Sequence, residues 1–147
     1  MRAVASVVVP APPERVWPVL VRWEDQPRWM RDAAFVRVVG PAREGVGVRL
    51  AVRTRVLGVA LFTEPLEVTR WEPPRRLVVE HRGAVRGLGT WTLRPEGSGT
   101  RFTWAEELRL PPPVIGELVL LAYRPLLRRQ MRRSLERLRD AVAEAGG

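Results

Sequence analysis

Cysteine, lysine and asparagine are absent from this chain, and histidine, tyrosine and isoleucine occur once each. Without cysteine there is no disulfide, no thiolate metal ligand and no thiol nucleophile. The shortage of lysine, asparagine and isoleucine is what a strongly GC-rich coding sequence produces, and it also suits a heat-adapted source. No apolar run is long enough to cross a bilayer. Met1 to Ala5 passes directly into a strand-like alternation, so no secretory signal peptide is expected and the expected compartment is cytoplasmic. Neither Gly45-Val46-Gly47 nor Gly87-Leu88-Gly89 is followed by a helix, which excludes a phosphate loop. Ser6, Ser98 and Ser134 stand outside any nucleophile-elbow context, which removes a hydrolytic triad.

What is present suffices for one domain over 1–147. Hydrophobic residues make up 46% of the 147 positions, too many for a disordered chain and enough to build a core. All 25 basic residues are arginine, and against 16 acids they leave a formal net charge of +9. Such an excess attracts anionic surfaces in general without identifying a partner.

The longest periodic stretch is Pro111 to Glu144. Gly116, Leu120, Tyr123, Leu127, Met131, Leu135, Leu138 and Val142 recur three or four apart, a single stripe on a helix about 45 Å long. Pro125 lacks an amide hydrogen and predicts a kink or break. Arg128, Arg129, Arg132, Arg133, Arg137 and Arg139 form the opposite face.

The chain ahead of that helix alternates with period two. Ala3 to Val9 reads as a strand. A short helix follows from Pro12, with Val16, Leu20 and Trp23 inward, and Glu24 to Asp32 forms a second short helical piece. Strands are predicted at Phe35–Val39, Val48–Val56, Val59–Trp71, Arg76–Arg82, Gly87–Arg94 and Thr100–Leu110, separated by glycine and proline turns. Successive strands of this kind form an antiparallel meander with one apolar face, and the long helix is the only element large enough to cover it. The fold class is α+β, a seven-stranded curved sheet wrapped around a C-terminal helix.

Several short motifs occur in a characteristic order. They are Ala11-Pro12-Pro13-Glu14-Arg15-Val16-Trp17, Pro27-Arg28-Trp29, Glu67-Val68-Thr69-Arg70-Trp71-Glu72-Pro73-Pro74-Arg75-Arg76-Leu77, Gly89-Thr90-Trp91-Thr92-Leu93-Arg94-Pro95 and Gly99-Thr100-Arg101-Phe102-Thr103. In order and spacing the chain resembles the START and polyketide cyclase-like superfamily (SRPBCC), from about Ala3 to Val142. The resemblance implies the helix-grip fold, with a cavity between sheet and long helix that holds a hydrophobic or amphipathic small molecule such as a lipid, a polyketide or a quinone-like compound. Trp17 and Trp29 match the family's early helical positions and read as core.

Alternation then assigns faces. Leu77 and Val79 put His81 inside; Phe102 and Leu108 put Trp104 and Glu106 there; Leu66 and Val68 bring in Glu64 and Phe62; Leu93 brings in Trp91. With Tyr123 from the helix stripe, Phe62, Trp91 and Trp104 are the expected walls, and Glu64, His81 and Glu106 the polar contacts. Each has a plainer reading. His81 could be a rim histidine satisfied by backbone or water. Either glutamate could pair with an inward arginine, or be turned outward by a β-bulge. The tryptophans could fill the interior rather than line it.

Carrier and enzyme stay open at this point. A cyclase or dehydratase would use His81 or Glu106 as a base and Tyr123 to stabilise an enolate; a quinone chaperone or partner-binding module would use neither. No metal is expected, because Glu64, His81 and Glu106 lie on separate strands without ligand spacing, and no cofactor is called for. Val114 to Tyr123, apolar beside the arginine run, suggests transient contact with an anionic membrane. Nucleic acid is not an expected partner, since no helix-turn-helix, zinc spacing or exposed stacking aromatics accompany the arginines.

Overall fold

The computed structural model describes residues 1–146; Gly147, the last residue of the expected domain, lies outside them. Strand β1 (Arg2–Val9) leads into α1 (Pro13–Leu20) and a 3₁₀ turn (Trp23–Arg28). Six strands follow, β2 (Ala33–Val39), β3 (Arg49–Val56), β4 (Val59–Glu72), β5 (Arg76–Arg82), β6 (Arg86–Glu96) and β7 (Gly99–Arg109), and then α2 (Pro113–Gly146). The predicted strand and long-helix boundaries fall within two residues of these.

All seven strands form one antiparallel sheet in the order β1-β7-β6-β5-β4-β3-β2. The meander runs from β2 to β7, and β1 closes onto β7. Helix α2 packs chiefly on β1, with further contacts to α1 and β7. Its stripe is buried as expected at Gly116, Leu120, Leu127, Met131, Leu135, Leu138 and Val142, while Tyr123 is half-buried. The helix continues through Pro125 without a break. Proline costs one backbone hydrogen bond there, and the packed stripe on either side offsets that loss.

The early helical segment differs from its sequence reading. Helix α1 ends at Leu20, and the second piece is a 3₁₀ turn that begins at Trp23 rather than Glu24 and stops at Arg28. Trp23 therefore belongs to the turn, where it is buried, and its indole N–H donates to the Arg43 carbonyl at 2.9 Å. Pro18 in the first piece and Pro27 in the second shorten both. Two aromatic groups pin this segment to the sheet. Trp17 meets Trp71 edge-on at 5.2 Å, and Trp29 lies 5.6 Å from Trp91 and 6.4 Å from Trp104.

Candidate functional site

Three of the residues that alternation turned inward meet each other. His81 projects from β5, Glu64 from β4 and Glu106 from β7. The imidazole Nδ1 lies 2.6 Å from Glu64 Oε1, and Nε2 lies 2.9 Å from Glu106 Oε2. A carboxylate can only accept, so both ring nitrogens donate and the ring is an imidazolium. The outer oxygens are used as well. Trp104 Nε1 donates to Glu106 Oε1 at 2.9 Å, and Thr54 Oγ1 donates to Glu64 Oε2 at 3.3 Å. Burial alone would lower His81; the hydrogen bonds to Glu106 and Glu64 outweigh it and raise the pKa from 6.5 to about 10. The plainer reading of an inward arginine partner is thus replaced by a histidine. The bulges in β2 to β5 interrupt register near Ala33/Phe35, Thr54/Arg55 and Val68/Arg70, not at either glutamate.

Joining β5 to β7 means reaching over β6, a distance of about 10 Å between strand axes. The register sets Glu106 opposite Gly89 and His81 opposite Gly87. A Cβ on Gly89 would stand 3.0 Å from Glu106 Oε1 and 3.1 Å from Val79 Cγ2. The absent side chain is the gap through which Glu106 leans across.

A fourth ionisable group, Asp32, was not anticipated. It follows the 3₁₀ turn and is anchored by its carbonyl, which accepts from the Arg55 amide at 2.6 Å. The residue as a whole keeps some exposed surface, yet Oδ1 is shut off from solvent and has no hydrogen-bond partner. Burial pushes its pKa up from 3.8 to about 6; the charges of Glu106 and Glu64 add to this, while its own backbone amide and His81 oppose it. The sequence carried one signal for it: Asp32 is the only acid between Asp25 and Glu44, directly ahead of Ala33-Ala34-Phe35-Val36. Tyr123 is raised to about 12 by burial and by the nearby Asp32 charge, so its hydroxyl stays protonated; it donates to Gln130 Oε1 at a long 3.4 Å.

Two spaces adjoin this cluster, and both are lined by Asp32, Thr54, Glu64, His81, Trp104 and Glu106. The larger measures about 260 Å³ and continues between Phe62 and Val56 on one side and Val119, Leu120, Tyr123 and Leu127 of α2 on the other. The smaller, about 70 Å³, runs inward past Leu77 and Trp91. Six of the seven expected site residues thus border the larger space: Phe62, Glu64, His81, Trp104, Glu106 and Tyr123. Trp91 does not. It borders only the smaller one, packed against Trp29, Phe102 at 5.9 Å and Trp104 at 6.5 Å, so it fills more than it lines. A wider surface cleft of about 400 Å³ near the end of α2 carries Arg22, Arg28 and Arg137 against Asp25, Asp140 and Glu144, charges that offset one another. Among the described residues no three histidine or carboxylate side chains are arranged to hold a metal ion.

One long helix held by seven antiparallel strands, with two short helical pieces after the first strand and polar groups confined between sheet and helix, defines a helix-grip protein. Residues 1–143 match the family described as polyketide cyclase / dehydrase and lipid transport, and the chain belongs to that family. Solved structures are similar over nearly the whole chain. TTHA0849 from Thermus thermophilus is 25% identical, with a TM-score of 0.82 and all of both chains covered. The Zhui aromatase/cyclase from Streptomyces sp. R1128 is 14% identical at a TM-score of 0.75, covering 100% of this chain and 96% of the other. Protein BH1534 of Bacillus halodurans is 20% identical at 0.70, covering 97% and 96%. No curated protein matches.

Proposed function

We infer that this protein binds a small, largely apolar or aromatic molecule in the space between β3, β4 and the first half of α2. One observation carries the reading: buried polar groups, one of them unpartnered, stand at the floor of an otherwise apolar recess. At about 260 Å³ the recess sits at the lower end of ligand sites, which span roughly 300–1,000 Å³. A one- or two-ring aromatic suits it; a two-chain lipid would leave most of its length outside. The Zhui aromatase/cyclase has the same fold, which agrees with an aromatic guest. Isothermal titration calorimetry with 2-naphthalenemethanol tests the reading. Saturable one-to-one binding that is lost in Val119→Trp, a half-exposed position bordering the recess, supports it. Absence of binding by wild type, or equal binding by the blocked variant, overturns it.

Exchange of the guest at an anionic membrane is the finer part of this proposal, and it rests on the rim. Val114, Ile115 and Leu118 of α2 are 74%, 64% and 63% exposed, and Leu57 at the β3–β4 turn is 75% exposed. Leu118 adjoins Val119, Ile115 lies one helical turn before it, and Leu57 adjoins Val56; Val119 and Val56 border the recess, so the apolar patches flank its mouth. Exposed Arg124 and Arg128 follow on the same helix. Apolar side chains beside cations suit the surface of an anionic bilayer.

A second reading, proton removal next to a carbonyl as in a cyclase or dehydratase, is favoured by Asp32 specifically. His81 holds no lone pair while both nitrogens donate, and the Glu106 oxygens already accept from His81 and Trp104. Asp32 Oδ1 has a free lone pair and a pKa of about 6, and the protonated Tyr123 hydroxyl borders the same recess, where it would have to exchange its long 3.4 Å bond to Gln130 for an enolate oxygen. Loss of turnover with retained affinity in Asp32→Asn would distinguish it from carriage.

A further inference from the structure

The recess carries a charge of the opposite sign to the molecule. Its floor holds three carboxyl groups, Asp32, Glu64 and Glu106, against the single cation His81. Among the described residues no arginine forms an ion pair with any of the three, although the chain contains 25. Glu64 and Glu106 spend their inner oxygens on His81 and their outer ones on Thr54 and Trp104. Asp32 alone is unsatisfied: Oδ1 is buried, has no donor and borders both spaces. A buried acceptor without a donor is costly and is normally met by a partner. Tyr123 does not supply it, since its one proton points to Gln130.

We propose that the guest of this recess carries an ammonium group that donates to Asp32, its apolar body lying between Phe62 and Tyr123, and that guests ending in carboxylate or phosphate are rejected. This rests on the binding reading above and narrows it to one class, cationic apolar amines. An anion would have to approach three carboxyl groups with His81 already committed to two of them, and that desolvated repulsion has nothing to offset it. A hydroxyl head satisfies the same acceptor and gains less, because it brings no charge to a net-negative floor. The arginine-rich exterior biases against the proposal, since its field draws anions. A cation preference would therefore have to originate in the recess.

Three guests with one ring system decide the matter by calorimetry: 2-naphthylmethylamine, 2-naphthalenemethanol and 2-naphthoate. The amine is expected to bind about tenfold or more tighter than the carboxylate, with the alcohol between them. Asp32→Asn is expected to weaken the amine about tenfold while leaving the alcohol within about threefold. Should that variant not fold, Asp32→Ser serves, and the wild-type ranking alone still decides. Carboxylate binding as tight as amine binding, or an amine-to-carboxylate ratio unchanged in the Asp32 variant, overturns the proposal and leaves the recess a general apolar site. No binding by any of the three removes the site itself, and the proposal with it.

Discussion

His81 is the only histidine, so its titration can be followed by NMR without ambiguity. Its ring is expected to show no titration between about pH 5 and 8, the interval in which an ordinary histidine changes charge. Its folded pKa, about 10, lies above the free value of 6.5. The stability it contributes is therefore complete below pH 6.5 and lost as pH rises toward about 10. Glu106→Gln replaces one acceptor oxygen with an amide that can only donate, facing either His81 or Trp104. That variant should bring the His81 midpoint down toward neutrality and cost about 1–3 kcal/mol in urea unfolding. An unmoved midpoint would mean that Glu106 does not hold the proton in place. Asp32 is raised as well and so follows pH in the same direction, but here because the fold disfavours its charged form rather than favouring it. Its raised carboxyl favours the folded state below 3.8, and that advantage is gone once pH passes about 6. Asp32→Asn should accordingly stabilise the protein by about 1–3 kcal/mol at pH 7 and above. The gain should vanish toward about pH 4. A destabilised variant at neutral pH would place Asp32 among structural contacts instead.

At the scale of elements, β6 matters for what it omits. Gly89 leaves the corridor that lets Glu106 cross to His81. Gly89→Val is expected to keep the sheet, judged by far-UV circular dichroism, while displacing Glu106 and letting His81 titrate near neutrality. Overpacking of this kind costs about 1–3 kcal/mol. An unchanged His81 titration would show that Glu106 reaches across by some other path. The inward sides of β4, β5 and β7 were legible in the sequence because period two fixes faces, and the apolar anchors Leu66, Leu77 and Phe102 set the phase. Which inward groups touch was not legible. The meeting of Glu64, His81 and Glu106 depends on register and on the low profile of β6, neither of which is written into alternation. Asp32 is left unplaced by periodicity for a different reason. It lies between a 3₁₀ turn and a strand that starts with a register shift, where neither helical nor strand periodicity holds, and the Arg55–Asp32 backbone bond ties it to β3 beside the recess. Trp91 shows the limit of face assignment, because an inward aromatic can border a cavity or fill the core according to what packs behind it, here Trp29.

Across the whole molecule, charge and apolar surface are sorted by location. The chain carries +9 overall, on a surface rich in arginine; the recess that holds the unpartnered Asp32 oxygen is anionic; and of the 13 large hydrophobics left exposed, eight lie on α2 or in the β3–β4 hairpin, beside the recess. This arrangement would turn the mouth toward an anionic bilayer and keep the rest of the surface in water. Two forces would act on the same docking step, and they respond differently to salt. The arginine contribution is screened within about 8 Å at physiological ionic strength, whereas burial of Ile115 and Leu118 is not. Co-sedimentation with phosphatidylserine-containing vesicles should therefore fall several-fold between low and high salt, leaving a residue of apolar binding. Ile115→Glu combined with Leu118→Glu should remove that residue. Both side chains are already exposed, so the pair should change folding stability by no more than about 0.5 kcal/mol each. Binding of 2-naphthalenemethanol to the double variant in solution should match wild type, because neither residue borders the recess. Vesicle binding that is abolished by salt alone, with the double variant indistinguishable from wild type, would reduce the docking to arginine attraction and leave the apolar rim without a role at the membrane.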